Sequence, residues 1–175
     1  MERSMLRSAT LNYAQMQQTN LRFADLTDAK LAYTDLTDSV LIDADLTDAY
    51  LYEADLTSAD LYSADLTRAD FTGARLYETD LGNTELTGAI LSLANLSFVD
   101  FTGASSFSDA TWTGAYYVTG DDPTWATGMD AAWRTSVGIV ERSSLGEGSP
   151  VPEPTTLLLA LLGLALLPRR RRLRR

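Results

Sequence analysis

Ala44-Asp45-Leu46-Thr47-Asp48-Ala49-Tyr50-Leu51-Tyr52-Glu53-Ala54-Asp55-Leu56-Thr57-Ser58-Ala59-Asp60-Leu61 places a leucine at every fifth residue and an alanine two positions before each. The frame extends both ways, from Leu6, Leu11, Met16 and Leu21 to Leu91, Leu96 and Phe101, twenty large apolar positions without a miss. Neither regular element suits a period of five. On a helix, five residues turn through about 140°, so the leucines would spread around every side. Along a continuous strand, an odd repeat sends successive leucines to opposite faces. A short extended step broken by a turn does fit. In Ala24-Asp25-Leu26 the Ala and Leu share one side and Asp25 takes the other; Thr27-Asp28 then turns the chain so that Ala29 and Leu31 point inward again. Repetition makes a tube lined by Leu and Ala.

The motif Ala-(Asp/Asn)-Leu recurs at Ala24, Ala44, Ala54, Ala59, Ala64 and Ala94, and in this the chain resembles the pentapeptide repeat family over roughly residues 4–118. The resemblance implies an all-β fold, a right-handed quadrilateral β-helix with four pentads per coil, so that residues twenty apart stack. The leucine pattern does not choose four sides, although Thr27, Thr37, Thr47, Thr57 and Thr67 alternating with Ala32, Ile42, Tyr52 and Tyr62 supports an even number. On such a frame a bulky or charged residue at Ala54 should do more harm than one at Thr57.

The formal net charge is −10, and six of the 14 bases are Arg169 to Arg172, Arg174 and Arg175, leaving eight to face 24 acids. So acidic a body argues against nucleic acid as a partner. With no Cys and no His, disulfides, thiol chemistry, Cys/His zinc sites and His acid–base catalysis are excluded.

Residues 119–150 leave the repeat. Gly120-Asp121-Asp122-Pro123 is turn chemistry and Ser143 to Pro150 reads as a linker. Just before, Phe101 to Phe107 is a six-residue step, after which the frame resumes with Trp112 and Tyr117. One inserted residue marks a bulge or corner, and large aromatics there, with Trp125 and Trp133 folded over them, would plug the tube.

The third segment, 151–175, orders Val151-Pro152-Glu153-Pro154, an apolar run from Thr155 to Leu167, and an arginine cluster opened by Arg169, Arg170, Arg171 and Arg172. As a helix the run, 155–167, reaches about 20 Å, short of the ~30 Å hydrocarbon core, and would span only with snorkelling or local thinning. The arginines would hold the C-terminus in the cytoplasm. This order resembles the PEP-CTERM sorting signal of Gram-negative bacteria. The resemblance implies a C-terminal hydrophobic helix, transient membrane insertion, removal by an exosortase, and delivery to the cell envelope or extracellular matrix. An N-terminal secretion signal, expected with such a tail, is not visible: Arg3, Arg7, Asn12, Gln15, Gln17 and Gln18 interrupt any apolar core. Either the chain starts further upstream or export takes another route; the uncapped first coil favours the former.

Stacking at a spacing of twenty would place Asp25, Asp45 and Asp65 in one outward column and Asp35 and Asp55 in the opposite one, with Tyr50, Tyr52 and Tyr62 on the remaining sides. These residues are the candidate interaction surface. Carboxylates in a flat column lack the convergent oxygen cage that tight Ca²⁺ binding needs, and a convex tube offers no pocket to shift acid and base pKa values. No catalytic residue, metal or cofactor is therefore expected. The leading expectation is a non-enzymatic exported repeat protein that meets an extracellular polysaccharide or another envelope protein. The alternatives are a cytosolic DNA mimic protecting a topoisomerase, and a polysaccharide- or cation-binding surface, with Tyr33 among the tyrosines stacking on sugars.

Overall fold

The computed structural model describes residues 4–143. Every fifth residue bridges in parallel to the residue twenty further on. Four columns result, which start at Met5, Thr10, Gln15 and Asn20 and run through Asp25, Lys30, Asp35 and Val40. Four columns at a spacing of twenty mean four walls, one pentad each. The lumen is the apolar frame: Leu26, Leu31, Leu36, Leu41, Leu46, Leu51, Leu56 and Leu61 are fully buried together with Ala29, Ala54 and Ala69.

From Asp25 to Asp80, each pentad centred on Asp satisfies its own backbone donors. In one example, Asp55 N donates to Thr34 O at 2.9 Å on the preceding coil, while Leu56 N and Ser58 N donate to Arg75 O and Tyr77 O, both at 2.8 Å, on the next. Ala59 N closes the turn onto Leu56 O at 2.9 Å. The fifth donor, Thr57 N, goes to the Asp55 carboxylate at 3.1 Å. Leaving any of these groups bare inside a stack would forfeit the cost of its desolvation.

The corner is a β-turn whose third residue has positive φ, the feature that defines type II. It recurs in all twenty pentads from Ser8 to Gly103, and Phe23, Tyr33 and Leu93 hold it as well as Gly73 and Gly88. A non-glycine residue there is disfavoured by about 1–2 kcal/mol, so the ladder must hold it: Tyr33 N, for example, is bound to Tyr52 O at 2.9 Å. Where Thr replaces Ala in the lumen its hydroxyl turns back to the backbone, Thr34 to Leu11 O and Thr79 to Leu56 O, both 2.8 Å.

After Phe101 the stacking distance changes, with Ile90 pairing to Thr111 and Asn95 to Tyr116. The extra residue is taken up where Ser106 turns left-handed ahead of a 3₁₀ turn, Phe107–Asp109. Beyond it come β1 (Tyr116–Val118), α1 (Ala131–Val137) and β2 (Val140–Arg142), with β1 and β2 paired in parallel. Asp130 caps α1 by accepting from Trp133 N at 2.8 Å, and Gly138 ends it in the left-handed conformation. Aromatic rings cover the last coil. Phe101 stacks on Trp125 at 5.6 Å, while Trp112 meets Phe101 and Trp133 edge-on, each at 5.7 Å. The Arg134 guanidinium lies 4.6 Å from the Trp125 ring centre. At the other end Leu6, Leu11 and Met16 are only partly buried. Among the described residues no helix is long and apolar enough to cross a membrane, and the run at 155–167 lies outside them.

Candidate interaction surface

Asp25, Asp45 and Asp65 stand in one column with Glu85, and Asp35 and Asp55 stand in another with Arg75 and Asn95. The fold gives these carboxylates a local task that the sequence reading overlooked. Each accepts the backbone N–H two residues on, the one donor that the ladder leaves over: Thr27 N to Asp25 at 3.1 Å, Thr47 N to Asp45 at 3.0 Å, Thr67 N to Asp65 at 2.9 Å. At Asp25, Asp35 and Asp55 the hydroxyl of the Thr two residues on adds a second bond, 2.7 Å at Asp25 and 2.6 Å at Asp35 and Asp55. Asp is therefore in the motif first as a turn acceptor. Lys30 shows the rule by exception, since Ala32 N takes its acceptor from Asn12 on the neighbouring coil, 2.9 Å away.

Two of the outward carboxylates, Asp48 in a turn and Asp55 in a column, are paired with arginines one coil away. Arg68 grips Asp48 through two bonds of 2.7 and 2.6 Å, and Arg75 reaches Asp55 at 3.3 Å. The hydroxyl of Thr37 holds the Asp35 carboxyl below the ordinary range, Arg68 does so for Asp48, and Ser106 and Thr87 do so for Glu85. Asp80 goes the other way. Burial pushes its carboxyl up, with Asp60 and Asp100 in the same column adding to the effect and the Gly82 N–H opposing it.

The signs then differ. Stability from Asp35, Asp48 and Glu85 is present above the unfolded carboxylate pKa of about 4 and is lost as the pH falls through their lower folded values. The contribution of Asp80 is present below that pKa and is lost as the pH rises through its higher folded value. Asp80→Asn keeps an acceptor for Gly82 N, 2.7 Å away, and removes the charge. It should raise the Tm at pH 7 by about 1–3 °C and leave it unchanged at pH 3. Thermal melts at both pH values check this; a rise at pH 3 as large as that at pH 7 would refute the account.

The tyrosines divide. Tyr13 and Tyr33 stack at 5.0 Å with planes 1° apart, Tyr33 meets Tyr52 edge-on at 5.6 Å, and Tyr50 lies parallel to Tyr52 at 6.0 Å. A hydrogen bond to Glu53 is the main cause that pushes the Tyr52 phenol up to about 12. Tyr62 belongs to a different wall, in the pentad of Asp60, where it lies over Gly82 and accepts from the Asn83 amide. A Cβ at Gly82 would meet Asp80 Oδ1 at 2.9 Å and the Tyr62 ring at 3.0 Å, so a larger residue there would have to push both side chains aside. Tyr13 was missed; its spacing of twenty from Tyr33 was the available signal.

Among the described residues no group of Asp and Glu is arranged to hold a metal ion. Val151, Pro152, Glu153, Pro154 and Arg169 to Arg172 lie outside the described residues.

The family model described as pentapeptide repeats matches residues 19–57, 34–73 and 69–105. No curated protein matches the chain. Several solved structures are similar. One is HetL from the cyanobacterium Nostoc sp. strain PCC 7120, a pentapeptide repeat protein involved in heterocyst differentiation regulation. It is 27% identical over 66% of this chain and 70% of its own, with a TM-score of 0.37. Another is Rfr23 from the cyanobacterium Cyanothece 51142, 26% identical over 62% and 90%, TM-score 0.43. A third, from the Arabidopsis thaliana thylakoid lumen, is 27% identical over 66% and 79%, TM-score 0.43. Through the repeats between residues 19 and 105 the chain belongs to the pentapeptide repeat family, whose fold is the right-handed β-helix.

Proposed function

We propose that this is a non-enzymatic structural or interaction module, exported to the cell envelope or extracellular matrix of a Gram-negative bacterium and sorted there by an exosortase. The observation that carries the first half is the filled lumen: Leu and Ala, with Thr34, Ser39, Thr79, Thr84, Val99, Phe71 and Phe101, are buried in it, so recognition falls to the outer walls and their turns. Pentapeptide repeat proteins are generally structural or interaction proteins, which agrees. The second half rests on the order Val151-Pro152-Glu153-Pro154, apolar run 155–167 and Arg169 to Arg172 in the sequence. The partner is then an extracellular polysaccharide or another envelope protein.

Replacing Pro152, Glu153 and Pro154 together by Ala tests the sorting step in a host with an exosortase. The unaltered chain should be recovered outside the inner membrane and shortened by its C-terminal segment, and the triple variant should keep the arginine cluster and remain in the inner membrane. Unaltered protein found in the cytosol with its tail intact would overturn the proposal and favour the cytosolic DNA mimic.

A further inference from the structure

We infer that the wall bearing Lys30, Tyr33, Tyr50 and Tyr52 is the binding surface for a neutral polysaccharide, an inference that rests on the extracellular reading above and commits it to one of its two partners. The column of this wall runs through Thr10, Lys30, Tyr50, Asp70 and Ile90. On the adjoining wall an Asp in the column takes the N–H two residues on, as Asp25, Asp45 and Asp65 do for Thr27, Thr47 and Thr67. Lys30 and Tyr50 have no carboxylate to offer. Asn12 makes good the loss for Ala32 N, but among the described residues no side chain does so for Tyr52 N. Two successive coils thus set aside the bond that the motif supplies, and both present tyrosine to solvent instead. A local rule broken without a compensating bond is the mark of a surface kept for recognition.

Ring geometry and charge identify the occupant. Tyr33 and Tyr50 are 41% and 43% exposed. Tyr33 meets Tyr52 edge-on, and Tyr50 lies parallel to Tyr52 at 6.0 Å, a separation at which neither ring of that pair covers the other's face. The rings fix one another, so little side-chain freedom is left to lose when a ligand binds. A sugar suits such a surface: its C–H face lies on a ring face, while its hydroxyls reach the phenols, the Lys30 ammonium and the Glu53 carboxylate. No exposed aliphatic side chain stands among these rings to make the apolar centre of a protein interface. In the five coils from Ser4 to Leu93 this wall holds two acids, Glu53 and Asp70, whereas the adjoining wall holds six, Asp25, Asp28, Asp45, Asp48, Asp65 and Glu85. With such neighbours, on a chain of net charge −10, an anionic polymer is repelled and a neutral one is not. The coils also repeat. Tyr13 and Tyr33, in consecutive coils, have ring centres 5.0 Å apart, about the length of one pyranose residue in an extended chain. A polymer laid along the axis meets successive coils with successive units, and its contacts add.

Native gels cast with hydroxyethylcellulose, galactomannan or dextran, run on the full chain in a polyoxyethylene detergent, test this. At least one of the three should retard the chain, and alginate, which is anionic, should not. Tyr50→Asp removes a ring and supplies the acceptor that Tyr52 N lacks. It should raise the Tm yet lower the affinity for the retarding polymer at least tenfold, a loss that unfolding cannot explain. Tyr50→Phe, which keeps the ring, and Tyr62→Ser, on another wall, should bind as the unaltered chain does. No retardation by any neutral polymer, retardation by alginate alone, or binding indifferent to Tyr50→Asp would each overturn the inference and leave the wall to a protein partner. None of these outcomes depends on the sorting step, which the variant at Pro152, Glu153 and Pro154 tests separately.

Discussion

Ala54→Asp should abolish the cooperative unfolding transition, whereas Thr57→Asp, three residues away, should cost about 1 kcal/mol. Ala54 is fully buried in the lumen, and its amide and carbonyl are both committed, to Leu51 O at 3.0 Å and from Arg75 N at 2.9 Å. A carboxylate there has no partner and no water. Burying an unpaired charge costs several kcal/mol, and the larger side chain must also displace its lumen neighbours. A domain stable by only about 5–15 kcal/mol does not absorb both. Position 54 also lies in mid-stack, so the damage reaches the coils on either side, since stability in a solenoid passes between neighbours. Thr57 faces outward; its loss removes one bond of 2.6 Å to Asp55 and adds a second carboxylate in solvent. Circular dichroism melts of the two variants check the contrast, and equal Tm values would refute the inward placement of Ala54.

Trp112→Ala should destabilise the fold by about 3–5 kcal/mol. The indole is buried, donates to Phe107 O at 3.0 Å, and holds Phe101 and Trp133 together edge-on. Its removal opens the closed end of the tube directly over Phe101. Hydrogen exchange should then be fastest in the coils next to the cap and slow progressively toward residues 44–63, because a solenoid frays from an uncapped end. A loss below about 1 kcal/mol, or uniform exchange along the stack, would show that the aromatic cap does not hold the last coil.

Both variants act through features of unequal legibility. The inward row was open to reading because burial follows a one-dimensional period, and Leu and Ala repeat it without a break. The inserted residue after Phe101 was legible for the same reason. The role of the aspartates was not. Asp at the middle of the extended step reads as a solvated charge, and only the coordinates reveal that the ladder leaves one N–H per pentad unclaimed, which the carboxylate takes. Nor was the left-handed turn residue visible, because Phe23, Tyr33 and Leu93 are not residues that ask for positive φ. The tyrosines at 50, 52 and 62 fall on two walls, since the ten-residue step from 52 to 62 crosses from one to another, while the twenty-residue step from 13 to 33 stays on one.

Composition and period alone establish which side chains leave water, that the elements are short extended steps rather than helices, and that Cys and His chemistry is absent. Those are properties of each pentad taken singly. How many pentads close a coil, and which arginine reaches which acid across neighbouring coils, were settled only in three dimensions. They depend on pairing between residues twenty apart, and any number of corners would have buried the same leucines.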